Sequence, residues 1–327
     1  MAPCARVACV TRVLFHSEGA RLRCRWLLLA LVACHSASRS DEESTGRTAD
    51  PSASPQDDRR VYGVDDFGDT IRLTHRAERI VSLNPATTEI LFALGAGPRV
   101  VGRTHYDQWP DSAKHVPDLG PGMRPNIEAV LGTRPDLVLL YASADNREAA
   151  RRLRRAGVTT AAVRVDSIAQ FNRLTRLLGR LVGDSARGAF VADTVMRTLD
   201  SVRVAMRDAR RMTVVMPTWN DPLIVIGGGS FMNELVTIAG ARNVYDSATS
   251  PSPMVSFEDV LRHNPEYVLT GPEAAARLRA QAKWRALPAL RNGRLLLFDT
   301  ARVLRPAVRL GEGAVSLARL LHPELVR

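Results

Sequence analysis

The chain has 327 residues, 45% of them apolar, which is enough for one large or two medium domains with a full core. Its net charge of +11 comes from arginine scattered along the chain rather than a basic block interleaved with aromatics, a pattern that argues against nucleic-acid binding. Cysteine occurs only at Cys4, Cys9, Cys24 and Cys34, which excludes a disulfide framework and a thiolate metal site in the body of the chain.

In chain order, the first legible element is "RLRCRWLLLALVAC". Arg21, Arg23 and Arg25 precede an apolar run from Trp26 to Ala33, the signature of an export signal. That run is too short to span a bilayer, which takes about 20 apolar residues. "LVAC" (31–34) resembles the bacterial lipobox, in which the cysteine is acylated and becomes the new N-terminus. An ordinary cleaved signal and an uncleaved anchor are the alternatives. Residues 1–20 fit no signal pattern, so the start of the 1–33 signal segment is open. Without residues 1–33, 40 basic residues face 33 acidic ones. Residues 34–60 are rich in Ser, Asp, Pro and Arg and nearly devoid of large apolar side chains. They read as a flexible tether that lets a folded domain stand off a membrane.

From residue 61 the pattern is α/β. "VYGVDDFGDTIRL" (61–73) reads as a hairpin around an Asp-Gly turn. "RIVSL" (79–83) is a buried strand, and "ATTEILFALGAG" (86–97) a helix with Ile90, Leu91 and Leu94 on one face and Gly95 and Gly97 at its end. "RVVGRT" (99–104) is the next strand. "NIEAVLGTRP" (126–135) is a helix with Asn126 as N-cap and Pro135 beyond its end. "DLVLLY", "NREAARRLRRAG", "TTAAVRV" and "IAQFNRLTRLLGRLVG" follow as strand, helix, strand and helix. Alternation of helices with continuous apolar strands implies a parallel sheet covered on both faces.

Residues 184–209 break the rhythm. Phe190, Val191, Val195, Met196, Leu199, Val202 and Met206 keep helical spacing with no strand between them. The segment predicts one uninterrupted helix of roughly 40 Å. After it the pattern restarts with "MTVVM" (212–216), "FMNELVTIAGARNVY" (231–245) and "FEDVLRHNPEYVLT" (257–270), and closes with "LLLFD" and a helix over 312–322. "FMNELVTIAG" repeats the plan of "TTEILFALGAG": a Glu, apolar residues at helical spacing, then a Gly stop. "EAVLGTRPDLVL" (128–139) and "EDVLRHNPEYVL" (258–269) align without a gap at an offset of 130. The expected architecture is therefore two Rossmann-like lobes with parallel sheets, residues 61–183 and 211–327, joined by a single long α-helix over 184–210. A cleft between two such lobes suits a small ligand. A continuous helix is a poor hinge, so closure is small. G-x-S-x-G, H-E-x-x-H and Walker motifs are all absent, which points to a binding protein rather than an enzyme.

The succession "RIVSLNPATTEILFALGAG", "VVGRTHYDQWP", "VPDLG", "PNIEAVLGTRPDLVL", long helix and "FEDVLRHNPEYVL" resembles the helical-backbone class (class III) of ABC-transporter substrate-binding lipoproteins for cobalamin and iron chelates. The resemblance covers about 61–327, and its cobalamin-binding members are nearest in spacing. It implies an exported monomer of the periplasm or cell envelope, anchored by lipid on Cys34, that delivers a corrinoid to a dimeric permease with its ATPase subunits. A ferric siderophore or heme is the alternative cargo; a corrinoid- or chelate-modifying enzyme and a structural envelope lipoprotein stand further back. No cofactor of the protein itself is implied, since cobalt or iron would arrive inside the ligand. Glu128 and Glu258 match the two surface glutamates that such proteins offer to permease arginines, although a carboxylate in a first helical turn also complements the helix dipole. Cleft residues are expected at the C-terminal ends of strands: Asn84, Pro85, Tyr106, Trp109, Met123 and Tyr141 in the first lobe, Trp219, Phe231, Arg305 and Arg309 in the second. The aromatics would grip a bulky macrocycle, and the arginines would meet carboxylates, phosphate or amides. Where the cobalamin binder has a Trp before its "GMN" segment, this chain has Gly and Pro in "GPGM", and a second Trp is replaced near Pro253, so heme and siderophore stay open. His105 beside Tyr106 could ligate a heme iron, but no cluster suits a bare metal ion. "GGGS" (227–230) lacks the Lys of a phosphate loop and reads as a turn or a backbone approach to ligand.

Overall fold

The computed structural model describes residues 60–325. The expected export segment, Cys34 and the expected tether up to residue 59 lie outside that range. The chain enters through a hairpin of β1 (Arg60–Val64) and β2 (Thr70–Leu73). Asp65 closes the turn: one carboxylate oxygen accepts the amides of Phe67 and Asp69 at 3.0 and 2.9 Å. The other accepts from Ala162 N at 3.0 Å, which ties the hairpin to the first sheet.

That sheet follows the expected alternation. Its elements are β3 (Ile80–Leu83), α1 (Pro85–Ala93), β4 (Val100–Gly102), α2 (Ile127–Gly132), β5 (Leu137–Tyr141), α3 (Ala144–Arg155), β6 (Thr159–Val163) and α4 (Ile168–Leu181). The strands run parallel in the order β4-β3-β5-β6. α5 (Ser185–Ala205) comes next, capped by the Asp184 side chain, which accepts from Arg187 N. Its 21 residues make it about 31 Å long. The helix is thus continuous but shorter than 184–209, because the chain leaves it at Met206 to reach the next strand six residues on.

The second lobe comprises β7 (Met212–Val215), β8 (Pro217–Asn220), β9 (Leu223–Val225), α6 (Phe231–Ile238), β10 (Ala241–Asn243), α7 (Phe257–His263), β11 (Tyr267–Thr270), α8 (Pro272–Ala280), α9 (Pro288–Arg291), β12 (Leu295–Leu297), α10 (Thr300–Val303) and α11 (Leu310–Leu321). Its sheet has the order β10-β7-β11-β12, again all parallel. The two sheets therefore share one topology: second strand, first, third, fourth. The β8–β9 hairpin left no sequence signal, since Pro222 interrupts the run and neither strand is long enough to show alternation.

The repeated segment has a structural counterpart at each position. Asn126 and Ser256 cap α2 and α7, accepting from Ala129 N and Asp259 N at 3.0 and 3.1 Å. Arg134 and Asn264 both take left-handed backbone conformations, φ 50° and 44°, just before Pro135 and Pro265. Asp136 then accepts from Glu78 N and Arg79 N at 2.8 and 3.1 Å, and Glu266 accepts from Thr213 N at 3.2 Å. Each carboxylate ties the start of the central strand to the start of its neighbour. Unpaired amides at a sheet end would otherwise need water.

α4 and α5 touch backbone to backbone. A methyl group on Gly179 would lie 2.7 Å from Gly188 Cα and 2.9 Å from Asp184 O. Alanine favours a helix over glycine by about 1 kcal/mol, but overpacking against backbone costs about 1–3 kcal/mol. Gly179→Ala and Gly188→Ala are each expected to lose about 1–2 kcal/mol net, read from urea unfolding midpoints. A gain in stability would mean that the helices separate without cost.

Candidate functional site

The segments leaving the strands at their C-terminal ends meet across the gap between the lobes. α1 begins directly after β3, with Pro85 at its first position and Asn84 as its cap. Asn84 Oδ1 accepts from Ala86 N at 3.0 Å, and the residue is buried. Its Oδ1 is thus engaged at the helix end. One turn further along, Glu89 is only 2% exposed. Its carboxylate lies 3.2 Å from Arg305 Nη1, and Arg305 Nη2 donates to the Tyr106 carbonyl at 2.8 Å. Arg305, from the segment after α10, therefore reaches across the cleft to both α1 and the loop after β4.

Burial pushes Glu89 up to about 7, against the opposing pull of Arg305 and Arg309. Burial likewise pushes nearby Asp107 up to about 6, although its carboxylate accepts from Thr104 N at 2.6 Å. Arg309 stands over Trp109, guanidinium to ring centre 5.3 Å, a cation–π distance. Tyr106 is 56% exposed and its ring lies 4.0 Å from that of His105. Tyr106, Trp109, Arg305 and Arg309 thus come together as one group, around a glutamate that the sequence reading missed.

A second crossing lies at the β6–α4 connection. Phe231 N donates to Asp166 O at 2.8 Å, and the Tyr141 hydroxyl donates to Asp166 Oδ1 at 2.8 Å. Burial, with Asp166 beside it, pushes the Tyr141 phenol up to about 12. Glu234 on α6 accepts from Ile168 N at 3.2 Å, and burial raises its pKa against that hydrogen bond. Glu89 and Glu234 occupy matching places in "TTEIL" and "MNELV". Each lobe therefore sends the glutamate of its equivalent helix across to the other. The signal was in the repeat itself: a Glu embedded among apolar residues, twice.

The remaining candidates are more dispersed. Met123 Sδ lies 3.6 Å from Ser143 Oγ and 3.7 Å from Asn146 Nδ2, at the start of α3. Trp219, on β8, is 56% exposed and donates to the Asp221 carbonyl of its own hairpin at 2.9 Å. The "GGGS" loop packs on the chain itself: a methyl at Gly228 would lie 1.9 Å from Asp246 O, and one at Gly227 2.1 Å from Ser250 O. Its close backbone approach serves the 246–251 loop. Glu128 is exposed and paired with Arg152 at 3.2 Å, while Glu258 is exposed with no ion-pair partner among the described residues.

This geometry matches a known class. Residues 80–301 match the family model described as periplasmic binding protein, and the chain belongs to that family. It is a solute-binding protein and not an enzyme. It is 27% identical over 266 residues to the ABC transporter substrate-binding lipoprotein YvrC of Bacillus subtilis (strain 168), covering 78% of this chain and 83% of that one. It is 24% identical over 233 residues to the vitamin B12-binding protein of Vibrio vulnificus (strain CMCP6), covering 71% and 85%. Among solved structures, it resembles the periplasmic heme-binding protein RhuT from Roseiflexus sp. RS-1 in apo form, with a TM-score of 0.68, 26% identity and coverage of 76% and 98%.

The raised Glu89 pKa has a consequence for stability. An unfolded Glu ionises near 4.5, whereas the folded one does so near 7. Between these values the folded state holds a proton that the unfolded state has lost, so stability falls as pH rises from 4.5 to 7. Below and above that window Glu89 contributes no slope. Its full amplitude is on the order of 3 kcal/mol. In Glu89→Gln this decline should vanish, so the variant gains on the wild type as pH rises through the window. Denaturant unfolding of both proteins from pH 4.5 to 8 reads the difference; a flat difference would mean Glu89 is ionised throughout.

Proposed function

We propose that this chain is the substrate-binding component of an ABC importer, anchored through a lipid on Cys34, which captures a corrinoid in the cleft and hands it to a membrane permease. The observation that carries the reading is Arg305. It spans the cleft between a buried Glu89, whose pKa burial raises, and the Tyr106 carbonyl, with exposed Tyr106 on one side and the Arg309–Trp109 pair nearby. A corrinoid is a large ring with amides and a phosphate at its edge. Aromatic faces supply contact area, and a guanidinium weakly held by its counter-charge can turn to an amide or phosphate oxygen. The names of the Bacillus and Vibrio relatives point the same way.

A second reading rests on one feature. The adjacent rings of His105 and Tyr106, both exposed, are a pair that could reach a heme iron, with Arg305 facing the propionates. The likeness to RhuT fits that cargo. Tryptophan fluorescence and visible absorbance during titration with hydroxocobalamin, hemin and ferrichrome separate the cargoes. Saturable one-site binding of hydroxocobalamin is expected, weakened about 10- to 100-fold in Arg305→Ala. Hemin binding whose Soret shift disappears in Tyr106→Phe, without hydroxocobalamin binding, would overturn the corrinoid reading.

Delivery is proposed to use Glu128 and Glu258, one at the second position of α2 and the other at the same position of α7. Two similar contacts suit a two-fold permease, and such charges set docking rate and register more than affinity. Exposed carboxylates of this kind contribute well under about 1 kcal/mol to folding. The double Glu128→Arg, Glu258→Arg protein should keep its ligand affinity and unfolding midpoint yet lose most uptake in a transport assay. Unchanged uptake would leave both residues as first-turn carboxylates that complement the helix dipole.

A further inference from the structure

The second lobe carries a cavity that plays no part in the cleft. It encloses about 490 Å³, and its lining sets it apart. Leu278, Trp284, Leu290 and Leu295 form apolar walls, and Arg279, Arg285 and Arg291 line it as well. No acidic residue is among the lining residues. The local sequence is as one-sided: 277–294 holds Arg277, Arg279, Lys283, Arg285, Arg291 and Arg294, with no acidic residue between Glu273 and Asp299. Part of the chain's basic excess is thus concentrated here around a tryptophan.

Trp284 supplies the second observation. It is 1% exposed and packs edge-on against Phe257 at 5.2 Å between ring centres. Its indole Nε1–H is buried with no acceptor among the described residues. A buried N–H of this kind usually finds a partner. Leu295 opens β12 and Gly293 precedes it, so the cavity sits at the N-terminal edge of the second sheet, at the opposite end of the strands from the cleft loops.

We propose that this cavity is a second binding site, for an anionic amphiphile: an acyl chain bearing a phosphate or carboxylate head. Head-group oxygens accept from the exposed arginines, whose planar forks suit either anion. The chain lies against Leu278, Leu290, Leu295 and the indole. A bare anion leaves those walls wet, and a neutral apolar ligand makes no use of the three guanidinium groups at the rim. Both parts of the ligand are therefore required.

The test uses the purified protein and its tryptophan fluorescence. Dodecyl phosphate, below its micellar concentration, is titrated beside inorganic phosphate and dodecyl maltoside. Saturable binding of dodecyl phosphate is expected, with either control at least about tenfold weaker. Arg279→Glu, Arg285→Glu and Arg291→Glu together should weaken it by about tenfold or more, since like charges then face the head group. The three single variants, each at an exposed residue, repeat the test should the triple variant unfold. Hydroxocobalamin titration of the same variants should be unchanged, so failure here is separable from failure of the cleft reading. Equal binding of dodecyl maltoside, equal binding by the variants, or no saturable binding overturns the proposal. Sedimentation with phosphatidylglycerol and phosphatidylcholine vesicles then distinguishes the source: retention on the former alone assigns a membrane lipid, and retention on neither assigns a free amphiphile.

Discussion

Everything in this molecule depends on the buried face of α5. Val191, Val195, Leu199 and Val202 belong to a single apolar core that runs from Ile71 beside the first sheet to Leu321 in the last helix. The helix is therefore more than a connector between two separate cores. Both lobes bury surface against it, and the Gly179–Gly188 contact brings α4 against it with no side chain between. Close-packed interiors yield little to small forces. Sliding one lobe on the other would expose part of this core, at roughly 25 cal/mol for each Å² of apolar surface. That constraint holds the cleft near one width, and the cleft residues are arranged within it.

Within that frame the two lobes treat each other alike. Each sheet has the same strand order, and each central strand opens with a carboxylate bonded to the amides of its neighbour. The lobes also send equivalent glutamates across the gap, Glu89 to Arg305 and Glu234 to the Ile168 amide. These crossings differ in kind. Glu234 meets a fixed backbone donor, whereas Glu89 meets a long side chain that can turn elsewhere. Burial raises the Glu89 pKa against the pull of Arg305, so the charge on this pair is less firmly held than that of an ordinary ion pair. The cleft thus combines one rigid crossing with one that can yield to a ligand.

Much of this was legible in the chain. The alternation of apolar runs with 3.6-residue periodicity located the strands and helices of both sheets and the long helix between them, because those signals are local and strongly periodic. The offset of 130 between the segments at Glu128 and Glu258 reflected duplicated structure, down to the caps at Asn126 and Ser256. The β8–β9 hairpin and the four-residue helices α9 and α10 escaped, being too brief to show a period.

The candidate site divides along the same line. Sequence by itself determined the fold class, the family, and the loops from which Tyr106, Trp109, Arg305 and Arg309 project, because position at a strand's C-terminal end follows from element order. It did not determine what those side chains do. Asn84 proved to be a helix cap, the "GGGS" loop a seat for residues 246–251, and Glu89 the partner of an arginine 216 positions away. Those outcomes rest on which surfaces the α5 core brings face to face, and on how far burial shifts a carboxylate. Both are properties of the packed molecule, set by contacts between residues distant in the chain.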